Sequence, residues 1–167
     1  MLTKSMYQIL KDQIEKEGYS SNLYLAMATW AEANGFNGIA QWLYAQSEEE
    51  RVHMLKFISY IGERDEHAII PEFKKPPVTF PSINELFKAV LEHEQYITGS
   101  INDIVAKSIE EKDFTTHTWI QWFVTEQIEE ESSVRAIIDK LNLVGDKNMY
   151  MFDRDIMSMR EAEGEAE

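Results

Sequence analysis

Two stretches decide the fold of this sequence: Glu49-Glu50-Arg51-Val52-His53 and, 77 residues further on, Glu126-Gln127-Ile128-Glu129-Glu130. The same offset carries Glu17 onto Glu94, Tyr19 onto Tyr96 and Trp42 onto Trp119, so the chain reads as two diverged copies of one unit. Glu50 and His53, like Gln127 and Glu130, stand three residues apart, the spacing that puts two side chains on one face of a helix. Each copy is a pair of helices around a short break. Glu17 and Glu50 are nearly equidistant from Asn34-Gly35, and Glu94 and Gln127 from the break at Glu111-Lys112-Asp113. In antiparallel hairpins such residues lie level with each other, near mid-helix.

Outward from these motifs, apolar residues recur at helical spacing, as in Leu86, Val90, Ile97, Ile101 and Ile104, and strand-like alternation is nowhere sustained. The pattern predicts helices over about 4–33, 37–64, 82–110, 114–141 and 146–159. Asn37, Ser82 with Glu85, and Asp113 are the candidate N-caps, Ser82 and Glu85 forming a capping box. All four prolines, at 71, 76, 77 and 81, fall in the second connection. That connection can span about 59 Å when extended, longer than the roughly 42 Å of each main helix. It can therefore run the length of the molecule and leave the second and third helices parallel. The expected fold is all-α: a four-helix bundle over 1–160 with one long crossover and a short fifth helix, followed by an acidic, disordered tail over 161–167.

Composition narrows the function. The 167 residues include 30 acidic and 16 basic side chains, a net charge of -14, which repels phosphate backbones and anionic lipid. No nucleic acid or membrane partner is expected; cations are. An apolar fraction of 44% is too high for a disordered chain. Absence of cysteine removes disulfides, thiolate zinc sites and iron–sulfur clusters, so any metal is held by oxygen and nitrogen. No apolar run approaches the length of a membrane span and the N-terminus lacks a signal-peptide core, which predicts a cytoplasmic protein.

If the motif faces turn inward, one level of the bundle holds Glu17, Glu50, His53, Glu94, Gln127 and Glu130. Four buried carboxylates are prohibitively costly when ionised and unpaired, and two divalent cations would cancel their charge. Glu50, between the halves, is the natural bridge. Oxygen donors with one imidazole suit iron or manganese, with zinc able to compete. A lone Glu-x-x-His on an acidic helix is ordinarily a solvated face; it is the agreement of four helices at one level that argues for metal. His67, His93 and His117 have no such support and read as surface or packing residues.

From about residue 4 to 160 the sequence resembles the bacterial non-haem ferritins, in Glu17-Gly18-Tyr19 with Tyr24, Glu49-Glu50-Arg51-Val52-His53, Glu94, and Glu126-Gln127-Ile128-Glu129-Glu130. The resemblance implies a ferroxidase centre that oxidises Fe(II) with O2 or H2O2, with Glu17, Glu50 and His53 holding one iron and Glu50, Glu94 and Glu130 the second. It places Gln127 beside them, and Glu49, Glu126, Glu129 and Glu130 at a third iron site. Tyr24 and Trp122 match aromatic residues next to the centre that donate electrons. It further implies a hollow homo-oligomeric shell of 24 subunits in which ferric oxide is stored.

Departures from related proteins matter equally. Bacterioferritins and di-iron oxygenases carry a second Glu-x-x-His where this chain has Gln127 and Glu130. The haem-ligating methionine of bacterioferritins would fall at Val52, so no haem is expected. The competing readings are a di-iron oxidase or peroxidase that stores no iron, and a purely structural bundle.

Overall fold

The computed structural model describes residues 1–164. Its helices are α1 (Lys4–Ala33), α2 (Asn37–Glu63), α3 (Ile83–Glu110), α4 (Phe114–Val144) and α5 (Met149–Gly164), with a 3-10 turn at Asp146–Asn148 before the last. No strand occurs among the described residues, so the all-α expectation holds. The fifth helix differs most from the sequence reading. It starts at Met149 because Gly145, at φ +63, ends α4 and the chain winds the 3-10 turn first. It then continues through Gly164, into the stretch read as tail; residues 165–167 lie outside the described residues.

Helix ends follow local chemistry. Thr3, Ser82 and Asp113 accept from the backbone N–H groups of Met6, Glu85 and Thr116 and cap α1, α3 and α4. The capping box is only half made: the Glu85 carboxylate does not return to the Ser82 N–H but accepts from Lys88 Nζ at 2.6 Å. Asn37 is not the cap of α2. It is already the first helical residue, Phe36 stands at the cap with no side-chain bond, and a carboxylate from α5 does the work: Asp153 Oδ1 accepts from Ile39 N–H at 2.9 Å. The C-termini of α1, α2 and α3 close alike, with a left-handed residue (Gly35, Asp65, Lys112) between paired bonds such as Phe36 N–H to Ala31 O and Gly35 N–H to Glu32 O. Only one of the three uses glycine.

α1 packs along α2 and α3 along α4, as two hairpins. Contacts between hairpins give the directions. Tyr60 and Thr116 meet near one end of α2 and α4, and Gln46 and Glu130 meet at mid-height, so α2 and α4 are antiparallel. With α3 antiparallel to α4, α2 and α3 run parallel, as the long crossover requires. The apolar core is split in two. One cluster contains Leu23, Met27, Trp42, Leu43, Phe87 and Val134 and is closed by Phe152 and Ile156 of α5; the other contains Met6, Leu10, Ile14, Phe57, Ile104 and Phe123. Between them lies a belt of buried polar side chains.

Candidate metal centre

The belt consists of Gln13 and Glu17 from α1, Gln46, Glu50 and His53 from α2, Glu94 and Ser100 from α3, and Gln127 and Glu130 from α4. All six residues expected at one level are buried, and Glu17 and Glu50 are each only 1% exposed. Helical spacing does this: Glu50 and His53 share a face with buried Ser47 and Phe57, and Gln127 and Glu130 share one with Phe123 and Val134.

Three of the four carboxylates are oriented by side-chain hydrogen bonds. Gln13 Nε2 donates to Glu17 Oε1 at 2.8 Å, Gln46 Nε2 to Glu130 Oε2 at 2.6 Å, and Gln127 Nε2 to Glu94 Oε2 at 3.1 Å. Tyr24, completely buried, donates its hydroxyl to Glu94 Oε1. The amide of Gln13 is held in turn by Ser100, whose hydroxyl donates to Gln13 Oε1 at 2.9 Å. Two oxygens are left over: Glu17 Oε2 and Glu50 Oε2 are buried without a hydrogen-bond partner. Orphaned carboxylate oxygens are costly in a core, and these two converge with His53. Ligand atoms of Glu17, Glu50 and His53 lie within 4.8 Å of one another, and so do those of His53, Glu126 and Glu130.

Burial dominates the ionisation of the belt. Burial raises the Glu17 carboxyl to about 7, against the opposing hydrogen bond from Gln13. Glu50 goes well above the carboxylate range, by burial and then by the charges of Glu94, Glu17 and Glu130. Glu130 does likewise, by burial and the charges of Glu94 and Glu49, while Gln46 pulls it down. Glu94 is raised by burial and held back by Tyr24 and Gln127. Burial and then Lys56 bring His53 down to about 4. The 3.4 Å approach of His53 Nδ1 to Glu50 Oε2 is therefore no ion pair at neutral pH, because the imidazole is uncharged, the form that ligates metal. Four carboxyl groups whose ionisation is opposed by burial, and for Glu50 and Glu130 by neighbouring charge as well, together with one neutral imidazole and two orphaned oxygens, suit a pair of hard or borderline divalent cations.

The remaining expected residues divide. Glu126 joins the second group, whereas Glu129 is exposed and belongs to neither. Glu49 is bound to Arg160. Glu94 and Glu130 lie close enough to Glu50 to raise its carboxyl, and Glu94 close enough to raise that of Glu130, yet as a trio they do not close to 4.8 Å. The exposed Trp122 sets its ring edge-on to His53 at 5.5 Å and carries Lys56 Nζ 3.0 Å over its face. His93 packs as read, among Tyr19, Tyr24 and Tyr96, and its Nε2 lies 2.7 Å from Ser20 Oγ. Gln13 and Gln46 escaped the sequence reading although both stand four residues before a site glutamate, one helical turn away on the same face.

A four-helix bundle with one long crossover, carrying inward glutamates from all four helices and one histidine, is a carboxylate-lined bundle of the kind that can hold metal between its helices. The Ferritin-like domain family matches residues 7–144, and the chain belongs to the ferritin family. It is 40% identical over 161 residues to a bacterial non-heme ferritin of Campylobacter jejuni, covering 95% of this chain and 96% of that one. It is 39% identical to a probable bacterial non-heme ferritin-like protein of Haemophilus influenzae, covering 93% and 96%. Among solved structures, an open pore ferritin from the hyperthermophilic archaeon Archaeoglobus fulgidus superposes with a TM-score of 0.91 at 34% identity, covering 93% of this chain and 96% of that one. The resemblance and the fold drawn from the sequence hold.

Proposed function

We propose that this protein stores and detoxifies iron: it oxidises Fe(II) at the polar belt and deposits ferric oxide inside a shell of 24 copies, in the cytoplasm. The observation that carries the reading is the pair of orphaned oxygens on Glu17 and Glu50 within a belt of four buried carboxyl groups. Among the described residues no helix is long and apolar enough to cross a membrane.

Fe(II) is the substrate. Glu17, Glu50 and His53 take the first ion, Glu50, Glu94 and Glu130 the second, and the cations compete with the protons that burial favours on these carboxyl groups. Two Fe(II) then give two electrons to one O2, which leaves with two protons as hydrogen peroxide; with hydrogen peroxide as oxidant the products are two waters. The chain's own residues position the ligands. Gln13 and Gln46 orient Glu17 and Glu130, while Tyr24 and Gln127 hold the two oxygens of Glu94. Phe123 and Trp122 wall His53 with their rings at 5.7 and 5.5 Å and exclude water from that side. We assign Glu49, Glu126, Glu129 and Glu130 to an outer iron site, in which Glu126 and Glu130 already converge with His53 and Glu49 must leave Arg160 to join them; Tyr24 and Trp122 are the candidate electron donors.

The test is to load the metal-free protein with excess Fe(II) in air and to follow mass and iron together by size-exclusion chromatography with light scattering. Abundant iron eluting with a shell-sized particle is the expected result. A small oligomer retaining about two irons per chain would favour the di-iron oxidase instead.

A further inference from the structure

The resemblance puts Glu49 beside Glu126 and Glu130 at an outer metal site, yet Glu49 stays outside the group that His53, Glu126 and Glu130 form. Its carboxylate accepts instead from Arg160 Nη2, on α5. The other arm of that guanidinium donates to Gln46 Oε1 at 3.0 Å, and Gln46 Nε2 donates to Glu130 Oε2 at 2.6 Å. Arginine has donors only, so it binds only the oxygen end of the amide and thereby settles which way the buried Gln46 faces. One guanidinium thus joins the last helix to an outer carboxylate and, through Gln46, to a carboxylate of the belt. Its plane also lies near Trp42, with Cζ 5.8 Å from the ring centroid.

The strength of this contact is intermediate. The Arg160 and Glu49 side chains are 24% and 36% exposed, so water and competing cations reach the pair, in contrast to the sealed Glu17 and Glu50. A guanidinium there supplies one positive charge where the outer site would supply a metal ion.

We propose that Arg160 is the internal counter-cation of the outer carboxylate cluster: it holds Glu49 away from Glu126 and Glu130, and a divalent cation arriving there displaces it and frees the end of α5. This rests on the reading of the carboxylates as metal ligands. Linkage makes the effect reciprocal. Whatever factor Arg160 costs the metal, the metal costs the Arg160 contact, so filling the outer cluster loosens the helix that carries Arg160.

Zinc, which has no redox chemistry, tests this on the assembled metal-free protein by calorimetric titration and by amide hydrogen exchange over residues 155–160. Arg160→Gln removes the charge and keeps an amide donor for Gln46. The expected result is an unchanged tight class of zinc sites and a weaker class bound about fivefold more tightly than in the parent protein. In the double variant Glu49→Gln with Arg160→Gln that gain disappears. In the parent protein, zinc filling the weaker class accelerates exchange over 155–160, and in Glu49→Gln it does not. Equal affinity of the weaker class in parent and Arg160→Gln, or exchange that ignores zinc, overturns the role of Arg160 while tight binding leaves the belt reading in place. Absence of any zinc binding in all variants overturns both.

Discussion

Tyr24 on α1 donates its hydroxyl to Glu94 on α3, across the boundary between the two halves of the chain, and both side chains are buried. The bond stabilises the ionised form of Glu94 against a burial that favours the protonated one. Tyr24→Phe removes it with little change in volume. The carboxyl of Glu94 should then rise further, and metal at that position should bind about tenfold more weakly at neutral pH, the scale of one lost charge-assisted hydrogen bond. Zinc titration at pH 7 reads the effect. Recovery of parental affinity at higher pH would identify proton competition as the cause.

Glu50 and Glu129 lie in unlike surroundings, one sealed at the centre of the belt and one exposed on α4. Glu50 neighbours both candidate metal positions, so Glu50→Ala should slow rapid Fe(II) oxidation by at least about a hundredfold, whereas Glu129→Ala should retain most of the rate. Stopped-flow absorbance after mixing with Fe(II) in air measures both. Equal rates in the two variants would remove Glu50 from the bridging role. His53→Ala should weaken the first site and leave assembly intact, as light scattering would register.

The metal-free protein should be less stable at pH 8 than at pH 6.5. Burial raises Glu17 to about 7, and Glu50, Glu94 and Glu130 are raised too, so the folded chain holds protons that the unfolded chain has released. Their stabilisation is complete at low pH and is lost as pH rises through the folded values. His53 and His93, held at about 4, act in the opposite sense, adding stability between about 4 and 6.5. The histidine contribution levels off within about one pH unit above 6.5, and beyond it the carboxyl groups set the slope. Thermal unfolding at the two pH values, with and without zinc, tests this: the metal-free melting temperature should fall and the zinc-loaded one should not.

The two-fold pattern in sequence was enough to locate the belt, because a repeat offset and helical spacing are both read directly from residue positions, without knowledge of contacts. Apart from Gln13 and Gln46, which stand one turn from site glutamates, the side chains that escaped depended on contacts distant in sequence. Asn37 has the chemistry of an N-cap, yet Ile39 N–H is served by Asp153, 114 positions away. Glu49 reads like its neighbours in the motif and is diverted by Arg160, 111 positions away. Lys112 and Asp65 occupy left-handed positions that glycine would favour, so these two helix ends carried no glycine signal.

Gly38 and Asp153 provide the sharpest test of how α5 is seated. A Cβ on Gly38 would lie 1.7 Å from the backbone carbonyl oxygen of Asp153, and a backbone atom cannot swing aside as a side-chain tip does. Gly38→Ala therefore forces α5 to move, costing the 2.9 Å bond to Ile39 N–H and the seating of Phe152 and Ile156 in the core. Overpacking of this kind costs about 1–3 kcal/mol. Gly99→Ala is the matched control: an added Cβ there meets nothing within 4 Å in mid-α3, and the substitution should stabilise by about 0.5–1 kcal/mol. Limited proteolysis should cut the Gly38→Ala variant within α5 and leave the four main helices intact. The same variant also draws Arg160 off Glu49, so its weaker class of zinc sites should tighten as in Arg160→Gln. An α5 that stays protected in Gly38→Ala would show that the close approach at Gly38 does not govern its docking.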